Sequence, residues 1–339
     1  MSWLVEARLI NGPFGDPGLF IDFRYGRRAI LFDVGDLSAL SPRELLRVSH
    51  VFVTHTHVDH FAGFDHLLRL CLHRNEPLHL CGPAGFAERV AAKLAAYTWN
   101  LLDDTSPDFV ISASEFDGRR IARRWDFHAR AAFRRREGEP PDLPADILLR
   151  EDDFRIEATV LDHGIPCLAF ALQETMRVNV WKEGLNSLGL PVGPWLNVAK
   201  RAVRRGEPDH FLIEAPGQAL SLARLKDKAL RIAPGQRLAY VTDAAGHAAN
   251  AEKIVGLARH ADTLFIEAAF LDADSDLAEQ NRHLTAAQAG AIARRAGARR
   301  IAPFHFSARY LEREDDVRRE VLGAFAGEET EARRDSKAP

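Results

Sequence analysis

The chain has 339 residues, 46% of them hydrophobic, and a formal net charge of −3. That is apolar enough for one large α/β domain or two small ones. It excludes a polycation, so any nucleic-acid binding has to come from local basic patches. Three cysteines, Cys71, Cys81 and Cys167, form no zinc-finger spacing, no CxxC and no disulfide framework. The first residues show no signal-peptide pattern and no apolar run reaches membrane-spanning length, so a cytoplasmic protein without a membrane partner is expected.

In chain order, 4–10, 18–24 and 28–34 are apolar or alternating runs separated by Gly, Pro and Asp, and they predict strands. Ser41-Pro42-Arg43-Glu44 is a capping box that starts a short helix. A buried strand is expected over 51–54, then a helix with Phe61, Phe64, Leu67, Leu68 and Cys71 on one face. A strand at 78–81 and a helix at 86–97 follow. Residues 115–150 read as less regular, with an exposed loop at 137–146. Strands resume at 154–161 and 167–172. Residues 175–235 fit a compact core poorly; they hold the Gly/Pro-rich GLPVGPWL and a short basic helix with Lys200, Arg201, Arg204 and Arg205. Strand–helix order returns with strands at 238–241, 264–268 and 301–304 and helices at 251–259 and 286–296, the second opened by the capping box Thr285-Ala286-Ala287-Gln288. The segment 328–339 reads as a disordered tail. Two halves that each alternate strands and helices predict two sheets packed face to face with helices outside, a four-layer α/β arrangement.

The chemistry concentrates in FVTHTHVDHFAGF, where His55, His57, Asp59 and His60 fall within six residues after an apolar strand. Side chains at i and i+2 of an extended segment face the same way, so His55 and His57 project together. Asp59 and His60 follow as the chain turns into a helix. Imidazole and carboxylate are the ligands zinc prefers. Grouped at a strand end without a cation, they would carry a heavy desolvation cost.

HxHxDH, followed by isolated His163, Asp243 and His305 that each end an apolar run, resembles the metallo-β-lactamase superfamily. LFDVGD at 31–36, CGPAGF at 81–86, ADTLFIEAAF at 261–270, HLTAAQAG at 283–290 and HFSARY at 305–310 are similar to the ribonuclease Z branch, the endonucleases that trim tRNA 3′ ends. The resemblance spans roughly residues 30–310 and implies an αββα sandwich with an inserted exosite arm. The domain is then 1–327, with the arm at 175–210.

Carried over residue by residue, the resemblance implies two zinc ions, with manganese as the alternative ion. His55, His57 and His163 would hold one. Asp59, His60 and His305 would hold the other, and Asp243 would bridge them. Asp59 would orient the nucleophile, and His283 would act as a catalytic group that binds no metal. Glu267 would stand behind the ligands, and Asp33 would orient the HxHxDH loop. Gly193, Pro194, Lys200, Arg201, Arg204 and Arg205 match the Gly-Pro motif and basic stretch of the arm that grips tRNA. The partner implied is a tRNA precursor as substrate, and a homodimer is compatible. Two departures stand out. Family members carry a Pro/Lys/Arg/Asn loop after the first strand, whereas no basic residue lies between Pro13 and Phe23, and the expected GDT around the bridging aspartate is VTDAAG.

The expected reaction is phosphodiester hydrolysis leaving a 3′-hydroxyl and a 5′-phosphate. The first rival is a lactonase, arylsulfatase or small-molecule phosphodiesterase on the same scaffold, which would need no arm. The second is a binding protein with structural metals, which would have no use for His283.

Overall fold

The computed structural model describes residues 3–24 and 26–328. The expected tail lies outside the described residues from 329 onward.

Eight strands pair in chain order into one sheet: β1 (Val5–Leu9), β2 (Leu19–Phe23), β3 (Ala29–Phe32), β4 (Val48–Phe52), β5 (Leu78–Pro83), β6 (Val110–Phe116), β7 (Ile121–His128) and β8 (Arg135–Gly138). Hairpins flank a parallel centre, β3 to β6, in which Phe32 faces Phe52 and Phe52 faces Cys81 across the ladders. A second sheet holds β9 (Ile147–Arg150), β10 (Phe154–Asp162) and β11 (Pro166–Glu174). β12 (Met176–Val180), β13 (Leu212–Ala215), β14 (Gln218–Ser221) and β15 (Leu230–Pro234) stand apart from it. The second sheet is completed by β16 (Arg237–Val241), β17 (Thr263–Glu267) and β18 (Ile301–Phe304), which run parallel to one another.

The two sheets close on an aromatic core. Phe32, Phe52, Phe170, Tyr240 and Phe304 are buried between them, with Phe32 and Phe170 ring centres 5.1 Å apart. Burial of such rings is the largest apolar contribution a side chain makes. The helix Phe64–Cys71 seats Phe64, Leu67, Leu68 and Cys71 on the outside of the first sheet. The helices Ala248–Leu257, Ala286–Arg295 and Glu314–Ala326 cover the outside of the second through Ile254, Ala289, Ala293 and Val321. The order helix, sheet, sheet, helix is the four-layer α/β sandwich expected from the alternation.

Two regions differ from the sequence reading. Residues 115–150, expected to be less regular, hold β7, β8 and β9 and the end of β6. β7 carries Arg123, Arg124 and Asp126 between its buried ends, which breaks the apolar signal, while Ile111, Ala113 and Phe127 fill the core. The arm extends past 210. β12 pairs with β15 from Met176↔Pro234 to Val180↔Leu230, so the excursion closes on itself over 176–234. It has its own core of Val178, Leu185, Leu196, Val203, Leu222 and Leu225. A boundary at 210 would cut that core.

Candidate metal centre

Five strands deliver the site from one edge of the sandwich. His55 follows β4, His163 follows β10, Asp243 follows β16, Glu267 ends β17 and His305 follows β18. β10 and β16 both run antiparallel to β11, so their carboxyl ends point the same way as those of β17 and β18. Asp33, Asp243 and His305 take left-handed backbone conformations, φ 57°, 38° and 57°, directly beyond their strands. Such strain is tolerated where surrounding structure fixes it; here the three residues lie in one contact network. His57 caps the short helix Val58–Phe61, which carries Asp59 and His60. Gly63 lets that helix meet the loop after β3: a Cβ there would lie 2.1 Å from the Gly35 carbonyl oxygen.

All seven expected ligands come together. His55, His57, His163 and Asp243 form one group, and Asp59, His60 and His305 another, each with its ligand atoms within 4.8 Å of one another. Asp243 Oδ2 lies 3.4 Å from His55 Nε2, 3.4 Å from His60 Nε2 and 3.5 Å from His163 Nε2. Its Oδ1 lies 3.0 Å from His305 Nδ1. Despite these short separations, His55 Nε2, His60 Nε2 and His305 Nδ1 are buried and make no geometrically acceptable hydrogen bond. Buried polar nitrogens left this way are costly. A cation among them supplies what the protein does not, so the residues fit divalent metal ions.

The electrostatics agree. Burial opposes charge on His60, but the Asp243 and Asp33 carboxylates overcome it and lift the imidazole to about 10. Burial likewise opposes charge on His305, and Asp243, Asp59 and Glu267 hold it well above the usual histidine range. His55 is pushed down to about 2, chiefly by burial and then by His60. Asp59 falls to about 2 because His305 and His60 outweigh its own desolvation. The Asp243, Asp33 and Asp59 carboxylates therefore favour positive charge at the centre. His60 Nδ1 sits 3.0 Å from Asp33 Oδ2. Asp33 also accepts the Thr54 N–H at 2.7 Å and the Tyr240 hydroxyl at 3.1 Å. One buried carboxylate thus ties His60 to both sheets.

A third group, Asp243, Glu267, His283 and His305, also has ligand spacing. Glu267 is otherwise committed. Its Oε2 is 2.7 Å from His283 Nδ1, while Oε1 accepts the backbone N–H groups of Ala244 at 2.7 Å and Leu284 at 3.3 Å. Burial works against a charged His283, and the Glu267 carboxylate outweighs it, so the imidazole sits above its usual range. His283 lies against the cluster, its ring centre 4.9 Å from His163 and 5.6 Å from His305.

One acid at the site was not singled out in the sequence. Asp16, in the loop without basic residues, is raised by partial burial and then by the nearby Asp59 charge. A carboxylate in an unremarkable turn gives no signal before the loop is folded. The arm residues lie elsewhere. Gly193 and Pro194 precede the helix Trp195–Arg204. Lys200, Arg201 and Arg204 line a cleft at the base of the arm with Arg28, Asp153 and Arg177. Arg204 pairs with Asp153 at 2.7 Å and Arg205 with Asp152. These ion pairs sit at the start of β10, the end opposite His163.

No family model matches the chain. A ribonuclease Z of Deinococcus radiodurans is 33% identical over 314 residues, covering 91% of this chain and 92% of that one. A ribonuclease Z of Thermobifida fusca is 31% identical over 318 residues, covering 90% and 83%. Among solved structures, the metallo-β-lactamase fold protein YhfI of Bacillus subtilis aligns with TM-score 0.54 at 16% identity, over 96% of this chain and 94% of that one. The short form of human tRNase Z aligns with TM-score 0.50 at 17% identity, over 90% and 93%. The structural neighbours share the fold; with relatives this similar over nearly its whole length, the chain belongs to the ribonuclease Z family.

Proposed function

We propose that the protein is a metal-dependent endoribonuclease that removes the 3′ trailer of tRNA precursors in the cytoplasm. The observation that carries this is Asp243, one buried carboxylate within 3.5 Å of His55, His60, His163 and His305. That arrangement suits two cations sharing a ligand, His55, His57 and His163 on one side and Asp59, His60 and His305 on the other. Zinc is the ion proposed, and manganese is accommodated by the same ligand types. Bound there, the ions would supply Lewis acidity toward a phosphodiester and a water.

The chain's own groups divide the remaining work. Asp59, lowered to about 2, is an anion at neutral pH. It accepts a hydrogen bond and orients the attacking water. His283, kept protonated by Glu267, donates its proton to the departing 3′ oxygen, which leaves a 3′-hydroxyl and a 5′-phosphate. Glu267 fixes the tautomer and direction of that imidazole and touches no reacting atom.

The arm is the proposed RNA grip, through Gly193, Pro194, Lys200 and Arg201. Arg204 and Arg205 join it on leaving Asp153 and Asp152. β10 has nine residues between arm base and metal centre, so the two ends are roughly 30 Å apart at about 3.3 Å per residue. A structured RNA spans that distance and a small diester does not. The same separation suits a homodimer, in which one copy's arm holds RNA seated at the other copy's centre.

Incubation with end-labelled tRNA precursor tests the reading. The expected result is chelator-sensitive release of the trailer with a 3′-hydroxyl on the tRNA. Activity indifferent to chelators, or hydrolysis confined to small chromogenic diesters, would overturn it.

A further inference from the structure

A cavity of ≈ 590 Å³ opens beside His283, walled by Gly246, His247, Ser275, Gln280 and Arg282. Cavities of about 300–1,000 Å³ are the size that holds a nucleotide-sized ligand. His283 stands between this space and the metal ligands, with His163 and His305 on its other side. Arg282 ends the helix Ser275–Asn281 in the left-handed conformation, φ 61°. That turn directs its carbonyl to His163 Nδ1, 2.8 Å away. It lays the side chain across Gly164, where φ is +79° and a Cβ would sit 2.9 Å from Arg282 Cδ and Nε. The guanidinium is thus bedded on the loop that carries a metal-ligand candidate.

Arg282 remains available to a ligand. Its Nη1 is 3.8 Å from Asp162 Oδ1, beyond hydrogen-bond distance, and the side chain is 52% exposed. Asp162 is itself engaged, accepting the Gly164 N–H at 2.7 Å and facing His247 Nε2 at 3.3 Å. His247 Nδ1 accepts the Asn250 N–H, so Nε2 carries the proton toward Asp162.

We propose that this cavity seats the nucleotide whose 3′ oxygen departs, and that Arg282 grips that nucleotide's 5′-phosphate. The assignment rests on the proposed role of His283. If His283 protonates the leaving oxygen from the cavity side, the ribose and base bonded to that oxygen continue into the space beyond the imidazole. A planar guanidinium offers paired N–H donors matched to phosphate oxygens. Ser275, Gln280, His247 and the Glu279 carboxylate line the remainder, which suits a hydroxyl-bearing ribose and a base better than a second phosphate. Arg282 is a specificity residue in this assignment: it selects substrates that continue in the 5′ direction past one nucleotide.

Calorimetric titration with adenosine 3′-monophosphate and adenosine 3′,5′-bisphosphate tests it on the intact protein. In the wild type the extra 5′-phosphate should tighten binding by about tenfold, the lower end of the scale of one charge-assisted hydrogen bond. In Arg282→Ala that advantage should fall below about twofold. Arg282→Gln keeps the stem that packs on Gly164 and removes the charge, so it should lose the advantage as well and guards against an effect of misfolding. Equal affinity for the two nucleotides in the wild type, or an advantage that survives both substitutions, overturns the subsite. Precursor cleavage measured alongside separates the two claims. Cleavage without the 5′-phosphate effect removes the subsite and leaves the ribonuclease reading standing. The Arg282-dependent effect without precursor cleavage keeps the subsite and removes tRNA precursor as the substrate.

Discussion

Single side chains at the centre are arranged so that each holds its neighbour in one protonation state. Glu267 and His283 are the clearest case. The acid has no exposure, and its second oxygen is fixed by two backbone N–H groups, so it holds the proton on His283 without rotating. His283→Ala should lower turnover by roughly 10²–10⁴-fold, typical of a lost acid–base group. Metal content should stay at the wild-type level; a variant that also loses metal would make His283 a ligand. The pH profile gives a second reading. In the proposed mechanism the protonated His283 is the working form, and its pKa is raised, so activity should fall as pH climbs through that raised value. Glu267→Gln removes the charge that raises it, and the alkaline limb should move to lower pH. A limb that stays in place would separate His283 from the proton transfer.

The same logic predicts proton release on metal loading. His60, lifted to about 10, and His305, held well above its usual range, both favour the protonated form in the metal-free protein. A ligand imidazole has to be neutral, so loading should expel about two protons per chain, read with an indicator dye in weak buffer. Release of none would mean that the centre is already neutral and that the carboxylates do not gather charge as described. Affinity for the ion should weaken on acidification in step with those protons.

At the scale of elements, what could be read from the sequence followed the strength of the local signal. HTHVDH after an apolar strand, and the capping boxes at Ser41 and Thr285, are short-range chemistry, and both boxes form as read. Strands with two buried faces, such as β16 and β17, were legible because nothing polar interrupts them. β6 to β8 were not, because β7 carries Arg123, Arg124 and Asp126 between its buried ends. Glu267 and His283 had no local signal, since sixteen residues of sequence separate a pair that only the fold brings to 2.7 Å; they were marked through resemblance alone. The limits of the arm carry no local signal for a related reason: β12 and β15 lie fifty or more residues apart and define the unit only by pairing. Deleting 176–234 should therefore leave the body folded, because Phe170↔Tyr240 and Leu172↔Leu238 still join β11 to β16. Metal content and hydrolysis of a small chromogenic phosphodiester should persist, while KM for tRNA precursor should rise strongly. Deleting only 175–210 should instead give an unstable protein, since it strands β15 and exposes Leu222, Leu225 and Leu230. If the shorter deletion proves the more stable by thermal denaturation, the arm is not a closed unit.

Across the whole molecule, the net charge of −3 makes the placement of cations decisive. The basic helix Trp195–Arg204 does not present all its charge outward. Arg204, with only 13% of its side chain exposed, pairs with Asp153, and Arg205 pairs with Asp152. Arg205 is 55% exposed, and an exposed ion pair contributes little to stability, so a polyanion can displace it from Asp152; the more buried Arg204 gives up Asp153 less readily. RNA docking on the arm, as proposed, would then be a competition between phosphates and two body acids. Asp152→Asn with Asp153→Asn removes the competitor. It should raise affinity for tRNA precursor at low salt, and steepen the dependence of log K on log salt by about 0.9 for each further duplex phosphate that the freed arginines neutralise. Fluorescence anisotropy across a salt series measures both quantities. Unchanged affinity would place Arg204 and Arg205 outside the RNA interface. Weaker affinity would give the ion pairs another role, holding the arm in the posture that RNA requires ~30 Å from the metal centre.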